Sequence, residues 1–233
     1  MVKTRGLKEA KVKLGDLSRI VSQMLKKKKK LKIFESGCGY GKVMIELSKK
    51  FGDKIEIIGM NLKPSHGDKK IMTDFVLKDK VITKKDLKTM KIPKIIYGDA
   101  GVKLPFKTGS IDLVYSQTSS YLYKDKMHFF EEVARVLARG GIARITKPIL
   151  NDELPKKYSQ LLTIKDKKGK REVIFKHYVK GFKNIRLRAL PSGKKCVEIS
   201  PGKLKFNLKL LKTVNVNKIN KKWFGIQSFY EVR

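Results

Sequence analysis

The 233-residue sequence predicts an α/β protein built on a mostly parallel, doubly wound sheet. Short apolar runs rich in isoleucine and valine alternate with segments of helical periodicity between residues 31 and 147. The first apolar run passes through a glycine-rich turn directly into a helical segment, as in nucleotide-binding crevices. Hydrophobic residues make up 41% of the chain, which is enough to build a core despite the high charge.

The first 30 residues predict a basic helical extension, with eleven basic and two acidic side chains. Asp16 is suited to cap this helix. The apolar residues that recur at helical spacing are Leu14, Leu17, Ile20, Val21 and Leu25. Lys26–Lys30 then form either a solvated helix end or a phosphate-binding arm beside the ligand site.

Residues 31–150 predict a ligand-binding core of alternating strands and helices. The expected strands are Lys32–Ser36, Lys54–Met60, Lys94–Gly98, Ile111–Ser116 and Ile142–Lys147. The expected helices are Gly41–Phe51, Lys69–Leu77, Lys84–Met90 and Asp125–Leu137. Gly140 and Gly141 are expected to end the last helix, because glycine is favoured just past a helix C-terminus.

Residues 151–233 predict a β-rich, basic region that completes the sheet and contacts the substrate. Its expected strands are Val173–Phe175, Cys196–Ile199, Lys205–Leu211 and Phe224–Val232. At least two of them should form an antiparallel edge on the parallel sheet. The remaining strand content indicates an inserted or appended β unit.

The net charge of +35 indicates a polyanionic partner, and nucleic acid is the expected one. Only nine of the 56 basic residues are arginine, so 56 − 9 = 47 are lysine. Because arginine is the preferred reader of bases, this skew also fits a lysine bias of an AT-rich genome. Both explanations stay open on composition alone.

The two cysteines, Cys38 and Cys196, lie far apart, and the three histidines do not cluster. A disulfide framework and a zinc site are therefore disfavoured, and a reducing, cytoplasmic environment is expected. No apolar run is long enough to cross a membrane, and the N-terminus does not resemble a secretory signal.

The glycine-rich turn, Glu35-Ser36-Gly37-Cys38-Gly39-Tyr40-Gly41, has the spacing GxGxG. Dinucleotide-binding turns have GxGxxG and place pyrophosphate on the helix N-terminus. A carboxylate at Glu35 would repel pyrophosphate, but it would suit the ammonium and sulfonium charges of S-adenosylmethionine (SAM).

Four blocks of sequence now identify a family: FESGCGYG at 34–41, YGDA at 97–100, LPFKTGSIDLVYS at 104–116 and FFEEVARVLARGG at 129–141. In this order and spacing they resemble the class I SAM-dependent methyltransferases with a type 11-like core. The resemblance implies SAM as cofactor and a Rossmann-like, seven-stranded, mostly parallel sheet. Helices should cover both faces, and the C-terminal edge should be antiparallel.

The resemblance also implies roles for single residues. Gly37, Gly39 and Gly41 would shape the floor under the methionine moiety, and Glu35 would hold that end. Asp99 would accept a hydrogen bond from the adenine amino group, with Ala100 beside the ring. The set of predicted cofactor-binding residues is completed by Cys38, Asn61 and Ser116.

Asn61 departs from the family pattern. It falls near the end of the second strand, where these enzymes normally carry a carboxylate that binds both ribose hydroxyls. An amide can accept one hydrogen bond and donate another, but it lacks the charge that strengthens the carboxylate's bonds.

The acceptor should lie past the fourth strand, in the hydroxyl-rich stretch 116–123. Signatures for exocyclic amines of bases, ribose 2′-O and cytosine C5 are missing there. Gln117, Tyr121 and Lys147 are the candidate acceptor-site residues, and the catalytic group stays open.

The favoured hypothesis is a SAM-dependent methyltransferase that acts on RNA or a ribonucleoprotein. Two alternatives remain: a small-molecule or lipid-precursor methyltransferase, and a non-catalytic RNA-binding component with a methyltransferase fold.

Overall fold

The computed structural model of the chain describes residues 5–146, 162–165, 172–173, 175–215 and 225–233. Its helices are α1 (Leu7–Leu14), α2 (Leu17–Leu25), α3 (Lys42–Phe51), α4 (Lys69–Lys78), α5 (Lys84–Thr89), α6 (Lys126–Val136) and α7 (Phe175–Tyr178). The strands of the core are β1 (Leu31–Ser36), β2 (Ile55–Asn61), β3 (Lys94–Tyr97), β4 (Ile111–Ser116) and β5 (Leu137–Thr146). The later strands are β6 (Leu162–Lys165), β7 (Glu172–Val173), β8 (Ile185–Ala189), β9 (Lys195–Ile199), β10 (Leu208–Asn215) and β11 (Ile226–Val232).

The main sheet has seven strands in the order β3-β2-β1-β4-β5-β9-β8. The first five are parallel to one another. β9 runs antiparallel to β5, and β8 runs antiparallel to β9. The predicted fold class, with an antiparallel C-terminal edge, is confirmed.

Helices cover both faces of the sheet because the central strands are apolar on both sides. Ile33, Leu113 and Tyr115 pack in one hydrophobic cluster with α1, α2, α3 and α4. Phe34 and Val114, which alternate with them, pack in a second cluster with α6. Every residue of β4 is buried, as expected for a central strand of a parallel sheet.

A second sheet of four strands, in the order β10-β11-β6-β7, packs on the α6 side. β10 and β11 form an antiparallel pair with a bulge between Leu210 and Lys212, and β11 is parallel to β6. The excess strand content thus forms a separate β unit. Two strands, β6 and β8, were missing from the prediction, and Phe175, expected in a strand, begins α7. Lys147 and Phe224 are the end residues of two predicted strands, and both lie outside the described residues.

The N-terminal extension is two helices rather than the single helix that its apolar spacing predicts. Gly15 separates α1 from α2 with a φ of +87°, a conformation that ends a helix and favours glycine. Asp16 caps α2, as predicted, because its Oδ1 accepts a hydrogen bond of 2.9 Å from the backbone N–H of Arg19. Within the described residues, no helix is long and apolar enough to cross a membrane.

Gly140 and Gly141 do not end α6, and that prediction was wrong. The helix stops at Val136, and the two glycines lie inside β5. The pairing of β5 with β4 is interrupted between Leu137 and Ile142, which leaves these glycines in a bulge. A Cβ on Gly141 would lie 2.8 Å from the carbonyl oxygen of Asp112. Gly141 is therefore required by the close approach of two strands, whereas Gly140 is favoured by its φ of +76° and has open space around it.

Lys26–Lys30 precede β1 and lie at the amino edge of the sheet. Lys28 Nζ donates to Asp112 Oδ1 at 2.5 Å, and Asp112 stands near the amino end of β4. Six residues of β1 separate this run from the carboxyl edge, a distance of roughly 20 Å. The interpretation of this run as a phosphate-binding arm beside the ligand site was wrong; it is a solvated, exposed helix end.

Candidate functional site

A cavity of about 720 Å³ opens at the carboxyl ends of β1 to β4. The loop after β1 contributes Gly37, Cys38 and Gly39, and the loop after β3 contributes Asp99 and Ala100. The loop after β4, residues 117–123, and the facing ends of β10 and β11 complete the wall. Ligands of open α/β sheets bind at this edge, and the volume suits a cofactor of drug-like size.

The glycine loop is bent in a way that side chains would prevent. Gly37, Gly39 and Gly41 have φ values of +70°, +54° and +67°. A Cβ on Gly37 would lie only 2.2 Å from the Cβ of Ser119. The loop is held down because the N–H groups of Gly37 and Cys38 donate to the carbonyl of Met60, at 2.9 and 3.2 Å.

Gly41 and Ser116, both predicted to bind the cofactor, stand behind the cavity wall. Gly41 precedes α3, and a Cβ there would meet Met72 of α4 rather than a ligand. Ser116 is fully buried, and its Oγ lies 2.6 Å from the Oγ of Ser119. The Ser119 hydroxyl donates to the carbonyl of Ser36 at 2.8 Å. The two residues therefore support the wall without lining it.

Glu35 is a buried carboxyl group in the wall of the cavity. Only 4% of its surface is exposed, and Tyr115 donates a hydrogen bond of 2.9 Å to its Oε2. Burial raises the pKa of Glu35 to about 8, against the opposing effect of the Tyr115 bond. A cationic ligand group beside Glu35 would favour its ionised form.

Asn61 uses its whole amide group to fasten the glycine loop. Its Oδ1 accepts from Gly39 N at 2.9 Å, and its Nδ2 donates to Gly39 O and Gly67 O, each at 2.9 Å. Gly67 approaches so closely that a Cβ there would lie 2.1 Å from the carbonyl oxygen of Gly39. Asn61 lines the cavity, but both amide hydrogens are already donated. Its ribose-binding role remains a prediction.

Asp99 and Ala100 lie side by side in the wall at the β3 end. Asp99 Oδ1 accepts from the backbone N–H of Gly101 at 2.8 Å, which orders the turn. Within the described residues its other oxygen has no hydrogen-bond partner, so it can accept from a ligand amino group. Cys38 also lines the cavity, where burial raises the pKa of its thiol well above the ordinary value. It packs against Gly59 of β2.

Gln117 and Tyr121, the candidate acceptor-site residues, line the cavity, and their contact with an acceptor stays a prediction. The Gln117 side chain is 7% exposed, and in the described part of the chain its Nε2 has no partner. A buried donor without a partner is costly, and a ligand acceptor would relieve that cost. Burial raises the pKa of the half-buried Tyr121, which keeps its hydroxyl protonated. Lys147 lies outside the described residues.

Several lining residues escaped the sequence analysis. Arg5 reaches the cavity from the N-terminal segment, and His66 reaches it from the turn after β2. Asn215, Gly225 and Ile226 come from the second sheet, about 100 residues beyond the β4 loop. Only His66 carried a usable signal, because it follows a strand at the carboxyl edge. The contacts of the others depend on tertiary structure.

Lys126 attaches the second sheet to the loop after β4. Its buried Nζ donates to Tyr123 O at 2.7 Å, to Ile226 O at 2.6 Å and to Ser228 Oγ at 3.0 Å. Burial lowers the pKa of Lys126 to about 7. Tyr123 and Ile226 both line the cavity. This buried amine therefore joins two parts of the cavity wall.

The residues present fit a cofactor with an adenine at one end and an amino acid at the other. Asp99 offers a free acceptor at the β3 end, and Glu35 offers a buried carboxyl at the β1 end. The glycine loop lets the backbone approach the ligand between them. The ribose position fits less well, because the Asn61 amide is already hydrogen-bonded.

Residues 34–145 match the model of a methyltransferase domain family. No curated protein matches the chain. A SAM-dependent methyltransferase from Aquifex aeolicus is 16% identical with a TM-score of 0.48, and the match covers 82% of this chain and 90% of that one. A putative one from Methanococcus maripaludis is 16% identical, with a TM-score of 0.48 and coverages of 81% and 86%.

The YcgJ protein from Bacillus subtilis is 20% identical with a TM-score of 0.38, over 55% of this chain and 49% of that chain. The chain spans about half the length of this and two other solved structures that it matches, one of them from Bacillus halodurans.

Proposed function

We propose that this chain, whose residues 34–145 form a class I SAM-dependent methyltransferase domain, transfers a methyl group from SAM to an acceptor bound beside Gln117 and Tyr121. The observation that carries the proposal is a single cavity lined by the glycine loop, Glu35 and Asp99 together. These groups match the two ends of SAM and leave the β4 loop to the acceptor.

Bound SAM supplies an electrophilic methyl group. The contribution of this chain is to hold that methyl in line with the acceptor and to exclude water. Glu35 binds the ammonium group and Asp99 the adenine amino group. The second sheet closes the acceptor side through Ile226 and its neighbours. With its hydroxyl protonated, Tyr121 positions an acceptor rather than acting as a general base.

A Gly37→Ala variant tests the cofactor site. The added Cβ would overlap Ser119 and the position needs φ of +70°, so we expect SAM binding by calorimetry to be lost. Gly52→Ala is the matched control. Gly52 also has positive φ (+53°), but no atom lies within 4 Å of the position that a Cβ would take there. It should lose about 1 kcal/mol of stability and keep its SAM affinity. No SAM binding by the wild type would reject the proposal.

RNA is the proposed acceptor, and the net charge of +35 supports this choice. Lys26–Lys30 lie at the wrong edge to contribute. The loops around the cavity carry other exposed lysines: Lys63 after β2, Lys103 after β3 and Lys124 after β4. These lysines would contact phosphates beside an acceptor nucleotide.

Changing Lys63, Lys103 and Lys124 together to glutamine should weaken RNA binding. The slope of log affinity against log salt should become less steep by roughly 2, since each phosphate contact with single-stranded RNA contributes about 0.7. The control carries the same charge change at the opposite edge, with Lys27, Lys29 and Lys30 changed to glutamine. Equal slopes in the two triple variants would contradict the proposed RNA path, and no RNA binding at low salt would exclude RNA.

A small-molecule acceptor is the second candidate, favoured by the wall that Asn215, Gly225 and Ile226 add to the cavity. A wall on the acceptor side suits a ligand that is largely enclosed. Incubation of a cell extract with the protein and methyl-labelled SAM separates the candidates. Label in a ribonuclease-sensitive fraction supports RNA, and label in the low-molecular-weight fraction supports the second candidate. Binding of SAM without transfer to either fraction would favour a non-catalytic RNA-binding role.

A further inference from the structure

Three of the chain's nine arginines converge on one carboxylate at the edge of the main sheet. Glu198 of β9 is buried, with 3% of its surface exposed. Arg144 Nη2 of β5 lies 2.8 Å from Glu198 Oε2. From β8, Arg186 Nε donates to Oε1 at 2.6 Å and Arg188 Nη1 donates to Oε2 at 3.2 Å. Three guanidinium groups against one carboxylate leave the cluster with two uncompensated positive charges.

The cluster has a buried half and an exposed half. Arg144 and Arg186 stand directly opposite Glu198 in the strand pairing, and Arg144 is buried with it. The side chains of Arg186 and Arg188 are 68% and 46% exposed, because β8 is the last strand of its sheet. Within the described residues, Arg186 Nη1 and Arg188 Nη2 have no protein partner. Glu198 therefore fixes two guanidinium groups whose remaining donors are available to a ligand.

Stability does not account for this arginine pair. Arg144 already compensates the buried carboxylate, and exposed ion pairs contribute only about 0 to 1 kcal/mol. Two further guanidinium groups beside the first also repel one another. Lysine supplies 47 of the 56 basic residues, so arginine at both positions runs against the composition of the chain. A guanidinium can give a phosphate two parallel N–H bonds, whereas an ammonium acts as a point charge. The pair therefore suits phosphate groups.

A groove of about 550 Å³ lies at the same edge. It is lined by the half-buried ring of Phe182 and by Leu187, together with Lys180, Lys183 and Arg186. Residues 178–200 hold six lysines and arginines and one acidic residue, the already paired Glu198. Surfaces that bind single-stranded nucleic acids combine a positive groove with aromatic rings on which bases stack. An acidic peptide would match the charge but has no base to stack on the ring.

The arginine pair and the cavity lie toward the same edge of the sheet. Both β5 and β8 are antiparallel to β9, so the carboxyl end of β8 points toward the cavity edge. Arg188 pairs with Cys196, which pairs in turn with Thr146, and the Thr146 hydroxyl accepts from the backbone N–H of Thr118 in the cavity wall. β4 and β8 are three strand spacings apart, about 14 Å. One flexible polyanion can therefore reach both places.

We infer that Arg186 and Arg188, held in place by Glu198, bind phosphate groups of single-stranded RNA at the β8 edge, outside the cavity. The inference rests on the RNA acceptor of the proposed function. It adds a second point of attachment, which would bring the RNA to the cavity from the β8 side of the sheet.

Fluorescence anisotropy with a labelled oligouridylate, titrated at several salt concentrations, tests the inference. The double variant Arg186→Gln/Arg188→Gln should bind about tenfold more weakly near physiological salt. Its slope of log affinity against log salt should be less steep by roughly 1.4, since each phosphate contact with a single strand contributes about 0.7. Arg144 still pairs with Glu198 in this variant, so the buried carboxylate stays compensated.

Two matched variants separate guanidinium geometry from charge. Arg186→Lys/Arg188→Lys keeps the charge of the edge strand and should retain the slope, but it should bind several-fold more weakly because the paired N–H bonds are lost. Lys27→Gln/Lys29→Gln removes the same charge at the amino edge of the sheet and should keep the wild-type slope. Calorimetric SAM binding should be unchanged in every variant, because none of these residues lines the SAM cavity.

Wild-type RNA affinity and slope in the glutamine pair would overturn the inference. Wild-type affinity in the lysine pair would also overturn it, because charge alone would then suffice. Equally effective competition by polyglutamate would overturn RNA as the occupant in favour of an acidic protein. A wild type that binds SAM but no RNA would overturn the inference and the RNA acceptor, and leave methyl transfer standing. A wild type that binds RNA through this pair but no SAM would leave the inference standing and reject methyl transfer.

Discussion

Replacing Asn61 by aspartate is expected to weaken SAM binding at least tenfold, although it introduces the acidic residue that the methyltransferase resemblance implies at this position. In the wild type the Asn61 amide donates to the carbonyls of Gly39 and Gly67. A carboxylate has no hydrogen to donate, and its charge would face both carbonyl oxygens in a site that is 4% exposed. We expect a loss of about 3 kcal/mol in the free energy of unfolding.

Asn61→Ala is the matched control, because it removes both donated hydrogen bonds without adding a charge, and it also removes the bond from the Gly39 N–H, which an aspartate could still accept. It should cost about 2 kcal/mol, less than the aspartate at pH 7. The difference between the two variants should shrink in acid, where the aspartate is protonated and can again donate. Chemical denaturation and calorimetry measure the two effects. Tighter SAM binding by Asn61→Asp would show instead that the position is a ribose-binding site and that the loop does not need the amide.

Replacing Glu35 by glutamine is expected to remove a pH dependence of stability between pH 4.5 and 8. Burial raises the pKa of Glu35 from its ordinary value of 4.5 to about 8, so in this window the folded state binds more protons than the unfolded state. The stability contributed by protonated Glu35 is fully present below pH 4.5 and is lost as the pH rises through 8. The loss in the wild type should be on the order of several kcal/mol.

Urea denaturation of both proteins across this pH range measures the effect as a difference. Lys126, with its pKa lowered to about 7, acts in the opposite direction, because stability is gained as the pH rises from 7 toward 10.5. Its contribution is the same in both proteins and cancels. Parallel stability curves for wild type and variant would contradict the prediction.

The cofactor should reverse the preference of Glu35. An ammonium group beside the carboxyl favours the ionised form, so SAM binding near pH 7 should release a proton from the wild type and none from this site in Glu35→Gln. Calorimetry in two buffers of different ionisation enthalpy counts the released protons. Equal proton release by the two proteins would place the ammonium elsewhere.

Local patterns were sufficient for most of the core. The core strands and the helices α3 to α6 follow from apolar periodicity. The GxGxG spacing, Glu35 and Asp99 pointed to one ligand site, and in the structure the glycine loop and these two carboxyl groups line the same cavity. These features depend on a few consecutive residues and on the rule that parallel strands expose their carboxyl ends at one edge. The bulge at Gly140 and Gly141 was misread, because a glycine pair that ends a helix and one that relieves strand crowding have the same local pattern.

Long-range contacts were not predictable in this way. The role of Lys26–Lys30 depended on whether this run lies at the edge of the sheet that carries the cavity. The ion pair of Lys28 with Asp112, near the amino end of β4, places the run at the opposite edge. The presence of Asn61 raised a question about ribose binding. The structure shows that its amide fastens Gly39 to Gly67. No local pattern carries this information, since one partner lies 22 residues away.

By itself, the sequence determined the parallel core, the glycine loop and the class of cofactor, because periodicity, turn chemistry and spacing are properties of short segments. Only the tertiary structure decided how the site is enclosed. It brought Arg5 to Thr118 across 113 positions and the ends of β10 and β11 to the cavity. Such contacts arise from the packing of whole elements, which bury apolar surface wherever it is complementary, and the residues that meet there need no common pattern in the chain.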